Sequence, residues 1–163
     1  MASGDEIREG YEKYGPALLR KAERILRNPD DASDIVQTLF VDLASRGREG
    51  RATDLPYLYR AVTNRCLNLI RDSKRRAELL AREAEPKTVP RRADARALSV
   101  DLLAKLTRRL NAKAMEVLVC RYVDDMTQEE IATHLGTSRR TVGKRLAAVR
   151  QALEELAGSA SAA

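Results

Sequence analysis

The stretch from Thr127 to Leu156 constrains the chain most. Thr127-Gln128-Glu129-Glu130 has the Ser/Thr-x-x-Glu form of a capping box, in which side chains and backbone at a helix start satisfy one another. Ile131, Ala132 and Leu135 supply the apolar side of a short helix. Gly136 follows, and glycine takes the positive φ of a sharp helix-ending turn without steric cost. Ser138 is placed to cap a second helix, whose apolar stripe is Val142, Leu146, Val149, Leu153 and Leu156. Two helices joined through so tight a turn predict a helix-turn-helix. An ordinary αα-hairpin with a solvated basic face is the alternative, but caps, glycine turn and charge agree on the former. In that geometry the start of the second helix enters the major groove of DNA. Ser138, Arg139, Arg140, Thr141, Lys144 and Arg145 fall on or near its free face. Arginine suits guanine edges and phosphate, whereas lysine and threonine more often hold phosphate. Gly143 breaks the helical pattern, either to admit close approach of DNA or as a tolerated defect.

The other segments read as helical too. Aromatic residues make up only 4% of the 163, with no tryptophan, and few stretches alternate strictly between apolar and polar. Ile7, Tyr11, Tyr14, Leu18, Ala22, Ile25 and Leu26 form one helix face, which Gly15-Pro16 should kink or split. Asn28-Pro29-Asp30-Asp31 is a helix start with a cap, a proline at the first helical position and acids at the positive helix end. That helix carries Ile35, Val36, Leu39, Phe40 and Leu43 and should end in a flexible basic loop over 45–51. A third helix begins near Asp54 to Pro56, with Leu58, Val62, Cys66, Leu69 and Ile70 as its apolar stripe. Leu98, Leu102, Leu103, Leu106 and Leu110 mark a fourth, and 112–123 a fifth. The prolines and basic residues of 86–94 read as an extended linker. These signals predict an all-α chain of two small helical domains, 1–80 and 98–157, joined by a flexible basic linker over 81–97 and followed by a disordered tail over 158–163.

Charge is polarised along the chain. The net charge is +6, which suits nucleic acid but equally a membrane surface or an acidic protein. Its distribution says more. Asn28 to Asp42 holds four aspartates and no lysine or arginine, while Arg51 to Arg76 holds seven basic residues against two aspartates. Arg139 to Arg150 holds five basic residues and no acidic one. Cys66 and Cys120 have no CxxC partner and sit at apolar-face positions, so buried thiols are expected rather than a disulfide or zinc site. No apolar run reaches membrane-spanning length and no signal-peptide pattern opens the sequence, which predicts a cytoplasmic protein without membrane insertion.

Several segments together resemble one family. Asp31-Ala32-Ser33-Asp34-Ile35-Val36-Gln37-Thr38-Leu39-Phe40 resembles the "DAEDxxQExF" signature of sigma factor region 2. Tyr57 to Asn64, followed by Leu69-Ile70-Arg71, is similar to that family's "WLyRIAxN…LLR" segment, with Tyr57 for the tryptophan and Ala61 for the isoleucine. Met115 to Tyr122, Thr127 to Ala132 and Gly136 to Leu146 look like its region 4, with Gly143 where a basic residue is usual. The short length and the lack of a middle domain point to the extracytoplasmic-function (ECF) class.

The resemblance implies roles. The Asp-rich helix would bind core RNA polymerase, with Asp34, Ile35, Gln37, Phe40 and Asp42 as contacts. The third helix would read the melted −10 element, Asn64 facing a flipped-out base and Arg51, Arg60, Arg65, Asn68, Arg71, Lys74 and Arg75 holding the strand. The helix-turn-helix residues named above would read the duplex −35 element. A cognate anti-sigma protein is a further expected partner. No catalytic side chain, metal or cofactor is expected, and the lone His134 reads as part of the helix-turn-helix scaffold. The competing assignments are a free-standing helix-turn-helix regulator and a nucleic-acid-processing enzyme. The first lacks a dimerisation helix after Leu156 and the second lacks clustered acids.

Overall fold

Capping chemistry sets most of the helix ends. A computed structural model of the chain describes residues 2–81 and 99–161. The described residues form α1 (Ala2–Leu26), α2 (Pro29–Ser45), a 3-10 helix (Glu49–Thr53), α3 (Leu55–Ala81), α4 (Val100–Arg109), α5 (Ala112–Tyr122), α6 (Gln128–Leu135) and α7 (Arg139–Ser161). No strand occurs among them, so the chain is all-α there. Asn28 Oδ1 accepts from the backbone N–H of Asp30 at 3.0 Å and of Asp31 at 3.2 Å, opening α2 behind Pro29. Asp54 Oδ1 accepts from Tyr57 N at 3.2 Å at the start of α3. Ser99 and Asn111 cap α4 and α5 in the same way. The linker expected over 81–97 falls outside the described residues apart from Ala81, which ends α3, and Leu98 lies outside them too.

Tertiary packing refines several local expectations. Helix α1 is not split at Gly15-Pro16 but runs through both. An interior proline costs about 3 kcal/mol, which the complete burial of Leu18, Ala22 and Ile25 along the same helix offsets. The flexible loop expected over 45–51 gives way from Glu49 to the 3-10 helix, whose Ala52 is fully buried against α1. Gly47, with φ of 63°, turns the chain out of α2 toward it. In α3, Leu58, Val62, Cys66 and Ile70 are buried as the stripe predicts, Leu69 is half-buried, and Leu67 is buried beside them, which widens the stripe. Finally, α7 continues to Ser161, where a disordered tail was expected from 158. Ser159 Oγ donates to the Glu155 carbonyl at 2.8 Å, and alanine at 157 and 160 favours helix.

The first three helices and the 3-10 helix pack on one another, and α4 to α7 form a second group. A small cluster of Val117, Cys120, Ile131, Val142 and Leu146 holds α5, α6 and α7 together. A larger cluster does not stop at the boundary between the groups. It joins Val62, Cys66 and Ile70 of α3 to Leu103, Leu106, Met115, Leu118 and Val119 of α4 and α5. Helix α3 is therefore shared: one side belongs to the first group and another meets the second.

Candidate nucleic-acid interface

The helix-turn-helix is built as the sequence requires. Thr127 Oγ1 accepts from Glu130 N at 3.2 Å, and the Glu130 carboxylate accepts from Thr127 N at 2.7 Å, so the capping box is complete. Those hydrogen bonds hold the Glu130 carboxyl below its ordinary range. Gly136 occupies the left-handed region with φ of 62° and ψ of 40°. Ser138 Oγ accepts from Thr141 N at 3.1 Å and opens α7. Val142, Leu146 and Val149 are buried and anchor α7, while Ser138, Arg139, Arg140 and Lys144 are exposed and Thr141 and Arg145 half-buried. Arg139 Nη1 lies 3.2 Å from Glu129 Oε1, an exposed pair that weakly restrains it. Arg140, Lys144 and Arg145 make no ion pair among the described residues, so their charge is available to an anion.

The basic face of α3 is more occupied than its sequence suggests. Arg65 Nη2 donates to Asp42 Oδ2 of α2 at 2.6 Å, and this bond holds the Asp42 carboxyl below the usual carboxylate range. Two residues expected at separate interfaces thus bind each other. Arg51 reaches Asp54 at 2.7 Å and lies over the Tyr57 ring, 5.3 Å from its centroid. Arg71 donates to Asn68 at 2.8 Å. Asn64 donates to Glu116 Oε1 of α5 at 3.2 Å, and Arg60 Nε lies 3.5 Å from the same oxygen. Lys74 Nζ donates to Asp101 of α4 at 2.8 Å. Arg75 is exposed, as are Arg60, Asn68 and Arg71.

On α2, Asp34 and Gln37 are exposed and Ile35 is half-buried. Phe40 corrects its assignment as a partner contact. It is 3% exposed and meets Tyr11 edge-on at 5.3 Å, so it is a core residue supporting the surface above it. The exposed apolar residue there is Val41, 61% exposed, beside Tyr11 and Ala44. Helical spacing from Gln37 would have found it: Val41 is one turn further along the same face.

Sequence reasoning also missed Lys21, Glu116 and Asp124. Lys21 is buried within the apolar face of α1 and pairs with Asp124, between α5 and α6. A lysine three residues after Leu18 and one before Ala22 in an apolar stripe was the available signal. Burial pushes the Cys66 thiol up to about 12 and the Cys120 thiol up to about 11, so both are protonated at neutral pH. His134 is half-buried, edge-on to Tyr59, and burial lowers its pKa. Among the described residues no cluster of three or more His, Cys, Asp or Glu could hold a metal, and no helix is long and apolar enough to cross a membrane.

A helix-turn-helix with a free cationic helix start, behind a second helical group with its own basic face, is the architecture of a DNA-binding protein. Comparison with known proteins gives the same order. Residues 11–76 match the family described as Sigma-70 region 2, and residues 101–153 match Sigma-70, region 4. The chain is 32% identical over 165 aligned positions to an RNA polymerase sigma-E factor of Streptomyces avermitilis, covering 94% of this chain and 89% of the relative. It is 32% identical over 143 positions to an RNA polymerase sigma-E factor of Streptomyces coelicolor, covering 86% and 80%. The chain belongs to the sigma-70 family, as an ECF-type factor acting in transcription initiation, a non-catalytic role.

Proposed function

We propose that the chain docks on core RNA polymerase through α2 and directs promoter-specific initiation. The polarity of charge along the folded chain supports this most directly: an acid-rich helix precedes two cationic faces, in the order of regions 2 and 4. Asp34, Ile35, Gln37 and Asp42 form the docking surface, with Val41 at its exposed apolar edge and Phe40 beneath it. The α3 face captures the unpaired −10 strand. Asn64 offers an amide to a base edge, and Arg51, Arg60, Arg65, Asn68, Arg71, Lys74 and Arg75 hold the strand around it. The start of α7 reads the −35 duplex. Opening DNA by capturing bases that have left the stack requires no nucleophile or general base.

Two weak contacts on one chain reinforce each other when polymerase sets their spacing. Domain 1–80 thus serves the docking and −10 steps and domain 98–157 the −35 step. A cytoplasmic setting and control by a cognate anti-sigma protein complete the proposal. A free-standing regulator has no use for an acid-rich α2 in front of a second basic face.

Replacing Asp34 by Arg tests the docking assignment. The side chain is exposed, so the helix content measured by circular dichroism should not change. Co-elution with core polymerase should be lost. Retained co-elution would remove α2 as the docking element.

A further inference from the structure

One arginine of α3 takes its partner from another helix of the same group. Arg65 Nη2 donates to Asp42 Oδ2 of α2 at 2.6 Å, and the two side chains are 31% and 32% exposed. Arg71, by contrast, bonds Asn68 within α3, and Lys74 bonds Asp101 of α4. The two acids of α2 assigned to docking do not face the same way. Asp34 is exposed, whereas Asp42, about two turns on and about 80° further round the helix, is half-buried on the flank toward α3.

The bond engages one N–H of a guanidinium that carries five in a planar fork. Among the described residues Arg65 makes no other hydrogen bond or ion pair, so Nε and Nη1 are free to donate outward. The bond also holds the Asp42 carboxyl below its ordinary range, so the pair stays ionised at neutral pH.

We infer that Asp42 is a positioning residue for the −10 strand: it fixes the Arg65 guanidinium at the edge of the α3 face, where the remaining N–H groups meet a phosphate. This rests on the assignment of α3 to that strand. An arginine loses rotamer freedom when a ligand orders it, and a carboxylate that holds it beforehand removes part of that loss. The same carboxylate repels the phosphate. The two effects have opposite signs, so their sizes decide the outcome. Across roughly 6–7 Å of water at physiological salt the repulsion weakens binding by less than about twofold. Ordering a long side chain on a ligand weakens it by about twofold to tenfold. Positioning outweighs repulsion, and this acid strengthens a contact with a polyanion.

The test uses holoenzyme assembled from core polymerase and an excess of the full chain. Its probe is a short single strand that the parent holoenzyme selects from a randomised pool. Arg65→Ala should weaken strand binding, because a phosphate contact is lost. Asp42→Ala should weaken it too, by about twofold to tenfold, although it removes a negative charge. Asp42→Asn removes the same charge in the same shape and keeps an oxygen that accepts from Nη2, so it should lose less than Asp42→Ala. In an Arg65→Ala background Asp42→Ala should bring no further loss, since no guanidinium is left to hold.

Asp42→Ala binding at or above the parent level, or losing as much in the Arg65→Ala background as in the parent, would overturn the inference. Arg65→Ala by itself reports on the underlying assignment. If it leaves affinity unchanged, Arg65 does not touch the strand and the inference goes with it. If it weakens binding while Asp42→Ala does not, the α3 assignment stands and only the positioning role is lost.

Discussion

Gly10 sits where α1 crosses the 3-10 helix, and Gly10→Ala sets two known effects against each other. A Cβ built there would stand 2.1 Å from the Ala52 carbonyl oxygen, 2.7 Å from its carbon and 2.9 Å from its Cβ. Two of those atoms are backbone and cannot rotate away. An ordinary carbon–oxygen contact is about 3.3 Å or more. The 3-10 helix must therefore move off α1 by roughly an ångström and uncover Ala52, which is fully buried. Alanine gains about 1 kcal/mol over glycine inside a helix. Overpacking costs about 1–3 kcal/mol and sometimes more, and a backbone clash this short belongs at the upper end. The expected result is a net loss of about 2 kcal/mol or more. For a chain of this size that lowers the melting temperature by at least roughly 4–8 °C. Thermal denaturation followed by circular dichroism measures it. Gly143→Ala is the companion: its Cβ would meet only Gln128 Oε1 at 3.8 Å. With no clash to oppose it, the helix gain of about 1 kcal/mol should appear as added stability. A Gly10→Ala chain as stable as its parent would refute the steric reasoning, all the more if Gly143→Ala behaved as expected.

Two further outcomes test the reading face and the burial of His134. Arg139→Ala with Arg140→Ala should weaken binding to promoter duplex and flatten its salt dependence by about 0.9 in log–log slope for each phosphate the variant no longer neutralises; an unchanged slope would remove α7 from the interface. His134 has its pKa lowered chiefly by burial and then by Lys21, so the folded chain favours the neutral ring. Its contribution to stability is complete above the unfolded value of about 6.5 and is lost as pH falls through that value toward the folded pKa. An NMR titration of the ring should give a midpoint below about 6.5, and a midpoint above it would contradict the burial.

Local chemistry was legible in the sequence wherever one or two turns decide the outcome. Asn28-Pro29 had to start a helix, Thr127 to Glu130 had to form a capping box, and Gly136 had to take a left-handed conformation, because each settles backbone hydrogen bonds within four residues. The apolar stripes of α2 and α7 were equally plain, and so was the burial of both cysteines. Those elements sufficed for the helix-turn-helix, the all-α class and the resemblance to sigma regions 2 and 4.

What tertiary structure decided was the partner of each charged or apolar group. Periodicity marks Phe40 as apolar but not whether it faces the core or a partner, and Tyr11 packing against it settles the matter. Pro16 reads as a kink or a break, and burial along the rest of α1 outweighs one lost hydrogen bond, so the helix is not split there. The pairing of Arg65 with Asp42, of Lys21 with Asp124 and of Asn64 with Glu116 joins residues 23, 103 and 52 positions apart. A charge in a sequence carries its sign and its helix face, but its energy depends on distance and dielectric, and the fold alone sets those.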